Sequence, residues 1–90
     1  MATHDEVLER LLEVVTFVAG AHRVPADLGA HTPIVEHGLE LDSATVLELM
    51  VSCEAAFSIT FDPATDFTED AFRTVGTLAG SVRRALARRG

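Results

Sequence analysis

The chain has 90 residues, a formal net charge of −7 and 48% hydrophobic residues, with five Phe but neither Trp nor Tyr. That length predicts one domain, residues 1–90, with a modest core, and no apolar run approaches the roughly 20 residues of a membrane-spanning helix. The acidic start Met1-Ala2-Thr3-His4-Asp5-Glu6 is unlike a secretory leader, so the expected location is the cytoplasm. Thr3 and Glu6 have the spacing of a capping box, and Val7, Leu8, Leu11, Leu12, Val15, Val18 and Ala19 recur at helical spacing up to Gly20. The pattern predicts a first helix buried along one face.

Over residues 21–41 the periodicity dissolves among two Pro, two Gly and three His. A loop of that length in so small a chain is functional or packed by its own side chains. Val24, Leu28, Ile34, Val35 and Leu39 are the expected pins, with a short turn of helix among them. The turn Gly38-Leu39-Glu40-Leu41-Asp42-Ser43 then leads into a second helix from Ala44 to Phe57, capped by Asp42 or Ser43. Val46, Leu49, Met50, Cys53 and Phe57 share the side expected to face the core. Ser43, Leu47 and Val51 follow one another at i, i+4, i+8 along a second, partly exposed stripe. Asp42, Glu48 and Glu54 stand near that stripe, giving a narrow apolar strip edged by carboxylates that suits a partner with a basic rim. The plainer alternative is that Leu47 and Val51 widen the core face.

Ile59-Thr60-Phe61 alternates like a strand, but Asp62-Pro63 ends it and nothing is available to pair with it, so an extended linker with Ile59 and Phe61 buried is expected. Thr68-Glu69-Asp70 predicts the start of a short helix ending near Arg73 and anchored by Phe67 and Phe72. Thr74 then caps a last helix with Val75, Leu78, Ala79, Val82 and Leu86 on its buried stripe, and Arg83, Arg84, Arg88 and Arg89 set against its negative end. Gly76 and Gly80 each cost on the order of 1 kcal/mol against alanine inside a helix, which predicts close approach of a neighbouring group. The fold class is therefore all-α: three main helices plus one short helix, with a long first loop.

Charge is polarised along the chain. Residues 24–72 carry ten acidic side chains and no Lys or Arg, whereas residues 71–90 hold five Arg and no acid. An acidic central half repels nucleic acid and attracts basic protein surfaces, and the arginine tail lacks the interleaved aromatics of a nucleic-acid binder. Cys53, the only cysteine, rules out an intrachain disulfide and sits among apolar residues where a thiol acts as a small hydrophobe. His22, His31 and His37 precede Ser43, but the chain lacks a Gly-x-Ser-x-Gly elbow, and spacings of nine and six without a cysteine partner match no common zinc pattern. The expectation is a chain without catalysis or metal of its own.

With Ile34 and Val35 ahead of Asp42-Ser43, Val46-Leu47-Glu48-Leu49-Met50 and Phe57-Ser58-Ile59 behind it, and Thr74-Val75-Gly76 further on, the chain resembles the carrier proteins of fatty acid, polyketide and nonribosomal peptide synthesis. The resemblance runs from about Val7 to Leu86. It implies an acyl-carrier-protein-like bundle and a 4′-phosphopantetheine arm on Ser43, at the helix end where free N–H groups and the dipole favour a phosphate. The arm would come from coenzyme A through a phosphopantetheinyl transferase with magnesium, and acyl groups would ride on it as thioesters. The family's partner-recognition positions fall on Asp42, Leu47, Glu48 and Val51. Implied partners are the transferase, an acyl-loading enzyme and synthase or tailoring enzymes, approached by a monomer. Against the family's frequent Leu-Gly-x-Asp-Ser-Leu, Glu40 occupies the glycine position and Ala44 the final leucine. Asp before Ser resembles acyl carriers more than peptidyl carriers. The resulting expectation is a discrete acyl carrier protein, leaning towards polyketide or other specialised metabolism. The alternatives are an aminoacyl or peptidyl carrier and an acidic helical adaptor without the arm.

Overall fold

The computed structural model describes residues 5–35, 38–66, 68 and 70–89, and among them it is helical: α1 (Glu6–Ala19), a 3₁₀ turn (Ala21–Arg23), α2 (Ser43–Phe57), a single-turn α3 (Pro63–Asp66) and α4 (Val75–Arg89). α1 packs most extensively on α2 and then on α4. Leu11 and Val15 of α1, Leu49, Met50 and Cys53 of α2, and Val75, Leu78 and Val82 of α4 meet in one core, joined by Ile34, Leu39 and Leu41 from the long loop. This is the expected acyl-carrier-like bundle of three main helices, one short helix and a long first loop.

Local chemistry explains most of the helix limits. Asp5, not Thr3, is the cap of α1: its Oδ1 accepts from Leu8 N at 3.1 Å, while Thr3 lies outside the described residues. At the other end Gly20 takes φ 92° and its N–H bonds to Thr16 O, a left-handed exit that glycine adopts without steric cost. The short helix is displaced from its expected place. Asp62 precedes Pro63, its Oδ1 accepts from Ala64 N, and the proline supplies the preset φ of a first helical turn. Thr68 and Asp70 instead close successive turns, accepting from Ala71 N and Arg73 N. Ile59 and Phe61 are buried in an extended stretch as expected, whereas Phe67 is outside the described residues and Phe72 is half-buried against the core.

The loop is held by backbone bonds rather than by all five expected pins. Ile34 and Leu39 are buried and Val24 and Leu28 half-buried, but Val35 is 46% exposed. Pro33 forms an isolated antiparallel bridge with Thr74. Around it, Ile34 N donates to Arg73 O, Val75 N to Thr32 O and Gly76 N to Ala30 O, while Leu39 N and Leu41 N return to Pro33 O and Ile34 O. The first donors of α4 are thus satisfied by loop carbonyls, and Thr74 Oγ1 takes the N–H of Thr77 as its expected cap.

The two glycines of α4 differ. A Cβ on Gly76 would stand 2.9 Å from the Ala30 carbonyl oxygen, so the loop crosses there only because that side chain is missing; at Gly80 the nearest atom is a flexible Arg84 nitrogen at 3.8 Å, and no close approach exists. Gly80→Ala is therefore expected to stabilise by about 0.5–1 kcal/mol, raising Tm by several degrees, while Gly76→Ala lowers it despite the same gain in helix propensity. Thermal melts of the pair that moved together would contradict this difference.

Candidate functional site

The start of α2 is built by its cap. Asp42 is extended, with φ −82° and ψ 175°, and its Oδ1 accepts from Thr45 N at 2.8 Å. That leaves Ser43 as the first helical residue, with its own N–H and that of Ala44 outside the intrahelical ladder. Both Asp42 and Ser43 are exposed. The Thr45 backbone N–H, then its side chain, hold the Asp42 carboxyl below its ordinary value, and the charge of Arg23 adds to this. Asp42 is the cap and Ser43 is free of that duty, so a hydroxyl stands in solvent at the positive end of a helix of fifteen residues.

The turn leading there contains a backbone irregularity. Glu40 has φ 53°, the left-handed region that non-glycine residues adopt at a cost of roughly 1–2 kcal/mol. This is the position where the carrier pattern that the chain resembles often has glycine, and here a glutamate takes the positive φ. Glu40→Gly is expected to stabilise by about 0.5–1 kcal/mol once glycine's own entropy in the unfolded chain is deducted. A denaturation midpoint that fell instead would show that the Glu40 side chain contributes more than its backbone costs.

Along α2 the two faces separate as the spacing predicts. Leu49, Met50 and Cys53 are buried and Val46 and Phe57 pack against the core, while Leu47 and Val51 are 61% and 64% exposed. They do not widen the core face. Glu48 is exposed beside them, whereas Glu54 turns away and accepts from the Phe61 backbone N–H. A shallow groove beginning at Ala44 runs past Leu47, Glu48, Val51 and Ser52 and is closed on its far side by Phe17 and Val18 of α1. Phe17 is 84% exposed. Sequence reading overlooked it because it falls off the buried stripe of α1, although a large aromatic on a polar face was itself a signal.

Other candidates fall elsewhere. Cys53 is buried and its thiol is pushed up to about 12 by desolvation and by the neighbouring Glu54 charge, so it is no nucleophile at neutral pH. His22 and His31 are exposed, His31 lying 3.6 Å from Asp27, and His37 is outside the described residues. The arginines of α4 do more than face their own helix end. Arg83 pairs with Asp5, Arg88 with Asp66, and Arg89 donates to the carbonyls of Phe57 and Ser58 at the end of α2. No helix among the described residues is long and apolar enough to cross a membrane.

The family pattern described as "Phosphopantetheine attachment site" matches residues 9–82, more than three quarters of the chain. The chain belongs to that family. No curated protein and no solved structure matches it. The family attaches 4′-phosphopantetheine covalently, which makes this a carrier protein of the kind that works with a phosphopantetheinyl transferase and synthase enzymes and is generally not itself catalytic. The residues present fit such a group. Attachment needs an accessible hydroxyl, and an anionic linkage is favoured at a helix N-terminus; the start of α2 offers both.

Proposed function

We propose that the chain is an acyl carrier protein with its arm esterified to Ser43, serving polyketide or other specialised-metabolite biosynthesis. The observation that carries the reading is the exposed Ser43 hydroxyl at the first turn of α2, inside the stretch matched to the family, with Asp42 already engaged as cap. When bound, the arm supplies a terminal thiol on which acyl groups are held as thioesters. The protein's own residues position and present. Asp42 and Thr45 fix the helix start, Leu49, Met50 and Cys53 bolt α2 to the bundle, and Leu47, Glu48 and Val51 offer the surface beside Ser43.

Asp42 preceding Ser43 supports an acyl rather than an aminoacyl cargo. Glu40 and Ala44 at the family's glycine and leucine positions, together with the absence of lysine, support a specialised rather than a housekeeping pathway. The test is intact mass after incubation with coenzyme A, magnesium and a broad-specificity transferase. A gain of one arm is expected. No gain with several transferases would favour the armless acidic adaptor.

A further inference from the structure

Phe17 is more exposed than any other large apolar side chain among the described residues, and nothing in the bundle explains it. It lies across the groove from Leu47 and Val51. Exposed apolar side chains gathered in one place rather than scattered mark an interaction surface. The patch is bordered by acids on both helices: Glu13, one helical turn before Phe17, and Glu48, which lines the groove, are both exposed.

We propose that Phe17 completes a two-helix docking surface with Leu47 and Val51, on which the phosphopantetheinyl transferase that esterifies Ser43 seats an apolar side chain while its Lys or Arg residues meet Glu13 and Glu48. This rests on the carrier reading of Ser43 and names the surface that serves it. A stable protein contact covers about 800 Å2 on each partner, a disc of roughly 16 Å radius. Leu47 and Val51 stand about 6 and 12 Å beyond Ser43 at 1.5 Å per residue. An enzyme centred on the Ser43 hydroxyl therefore reaches Leu47 and Val51, and Phe17 lines the same groove.

Charge and shape select this occupant over two others. A second copy of the chain would bring Glu13 and Glu48 against their like, which opposes association. A tethered acyl chain would gain little shelter, because Phe17, Leu47 and Val51 are themselves more than half exposed. A basic-rimmed enzyme surface satisfies both the apolar centre and the acidic border.

The experiment is steady-state transfer of the arm from coenzyme A by a broad-specificity transferase, with the carrier as varied substrate. Phe17→Ser is expected to raise KM for the carrier about tenfold with kcat retained, and Phe17→Leu to restore most of the loss. Glu13→Lys should raise KM at low salt, with the effect shrinking at high salt. Melting curves of each variant check the fold, which the exposure of Phe17 leaves intact. If the unsubstituted chain takes no arm, the carrier reading falls and this one with it. If it loads and Phe17→Ser loads with the same KM, only the docking surface is overturned. Concentration-dependent dimerisation lost in Phe17→Ser, or Phe17 ring resonances that shift on acylation while KM stays unchanged, would assign the patch to a second copy or to the cargo instead.

Discussion

Replacing Ser43 with alanine is expected to abolish arm attachment completely while leaving the bundle folded. The ester requires the side-chain oxygen, and alanine removes that atom and nothing else of consequence. The cap of α2 is Asp42, whose bond to Thr45 N does not involve Ser43, and Ser43 is solvent-exposed. Substitution of such a surface position changes stability by no more than about 0.5 kcal/mol. Intact mass should therefore show no gain in Ser43→Ala, with an unchanged melting curve. The other serines make poor substitutes. Ser81 is fully buried, Ser52 is half-buried in mid-helix, and Ser58, though exposed, closes the negative end of α2. An arm found on Ser43→Ala would move the site elsewhere and dismantle the reading of the α2 start.

The second large effect concerns stability. Asp66 is fully buried, and its Oδ2 accepts from Asp62 N and from Arg88 Nη2, both at 2.7 Å. Its Oδ1 has no hydrogen-bond partner among the described residues, the Arg84 guanidinium standing 3.8 Å away. Burial pushes this carboxyl up, but the Asp62 N–H and Arg88, with Arg84 behind it, outweigh that and hold it below its ordinary value. Arg88→Met keeps the apolar stem and removes the charge. A buried carboxylate left without its main partner costs about 3 kcal/mol, the low end of the range for broken buried pairs, since Arg84 remains near. For a chain of this size that is a fall in Tm of 12 °C or more.

The pH dependence of that loss is a sharper test. Asp66 titrates lower in the folded than in the unfolded chain, so its contribution is complete above the unfolded value of about 4 and is lost as pH falls through the folded value. Arg88→Met raises the folded value. The gap between variant and parent should be widest at neutral pH and narrow below pH 4, where the carboxyl is protonated in the unfolded chain and increasingly in the folded one. A gap independent of pH would mean that the loss does not come from the Asp66 carboxylate but from another contact of the guanidinium, such as its bond to the Thr60 carbonyl.

The three long helices were legible because their apolar residues recur at helical spacing and their ends carry recognisable chemistry: Gly20 at the end of α1, Asp42 before α2 and Thr74 before α4. Helical spacing put Ser43, Leu47 and Val51 on one stripe but left open whether Leu47 and Val51 widen the core face; the carrier resemblance favoured the exposure that the fold shows. Local logic failed where the deciding partner is distant in sequence. Thr68-Glu69-Asp70 looks like a helix start, but the helical turn forms at Pro63–Asp66, where a carboxylate that reads as an ordinary surface acid is buried against Arg88. The arginines suited the end of their own helix, and only the packed bundle shows Arg83 crossing to Asp5 and Arg89 to the last carbonyls of α2. Val35 resembles a pin by its side chain, yet Pro33 and Ile34 hold the loop, mostly through backbone groups that composition does not reveal.

The bridge between Pro33 and Thr74 gives this helical protein one rivet on which two distant stretches hang. The strand-like crossing joins the approach to Ser43 to the threshold of α4, so neither can loosen alone. Amide protons of Ile34, Leu41 and Val75, whose bonds tie the serine's turn to the far helix, are accordingly expected to exchange with solvent as one unit.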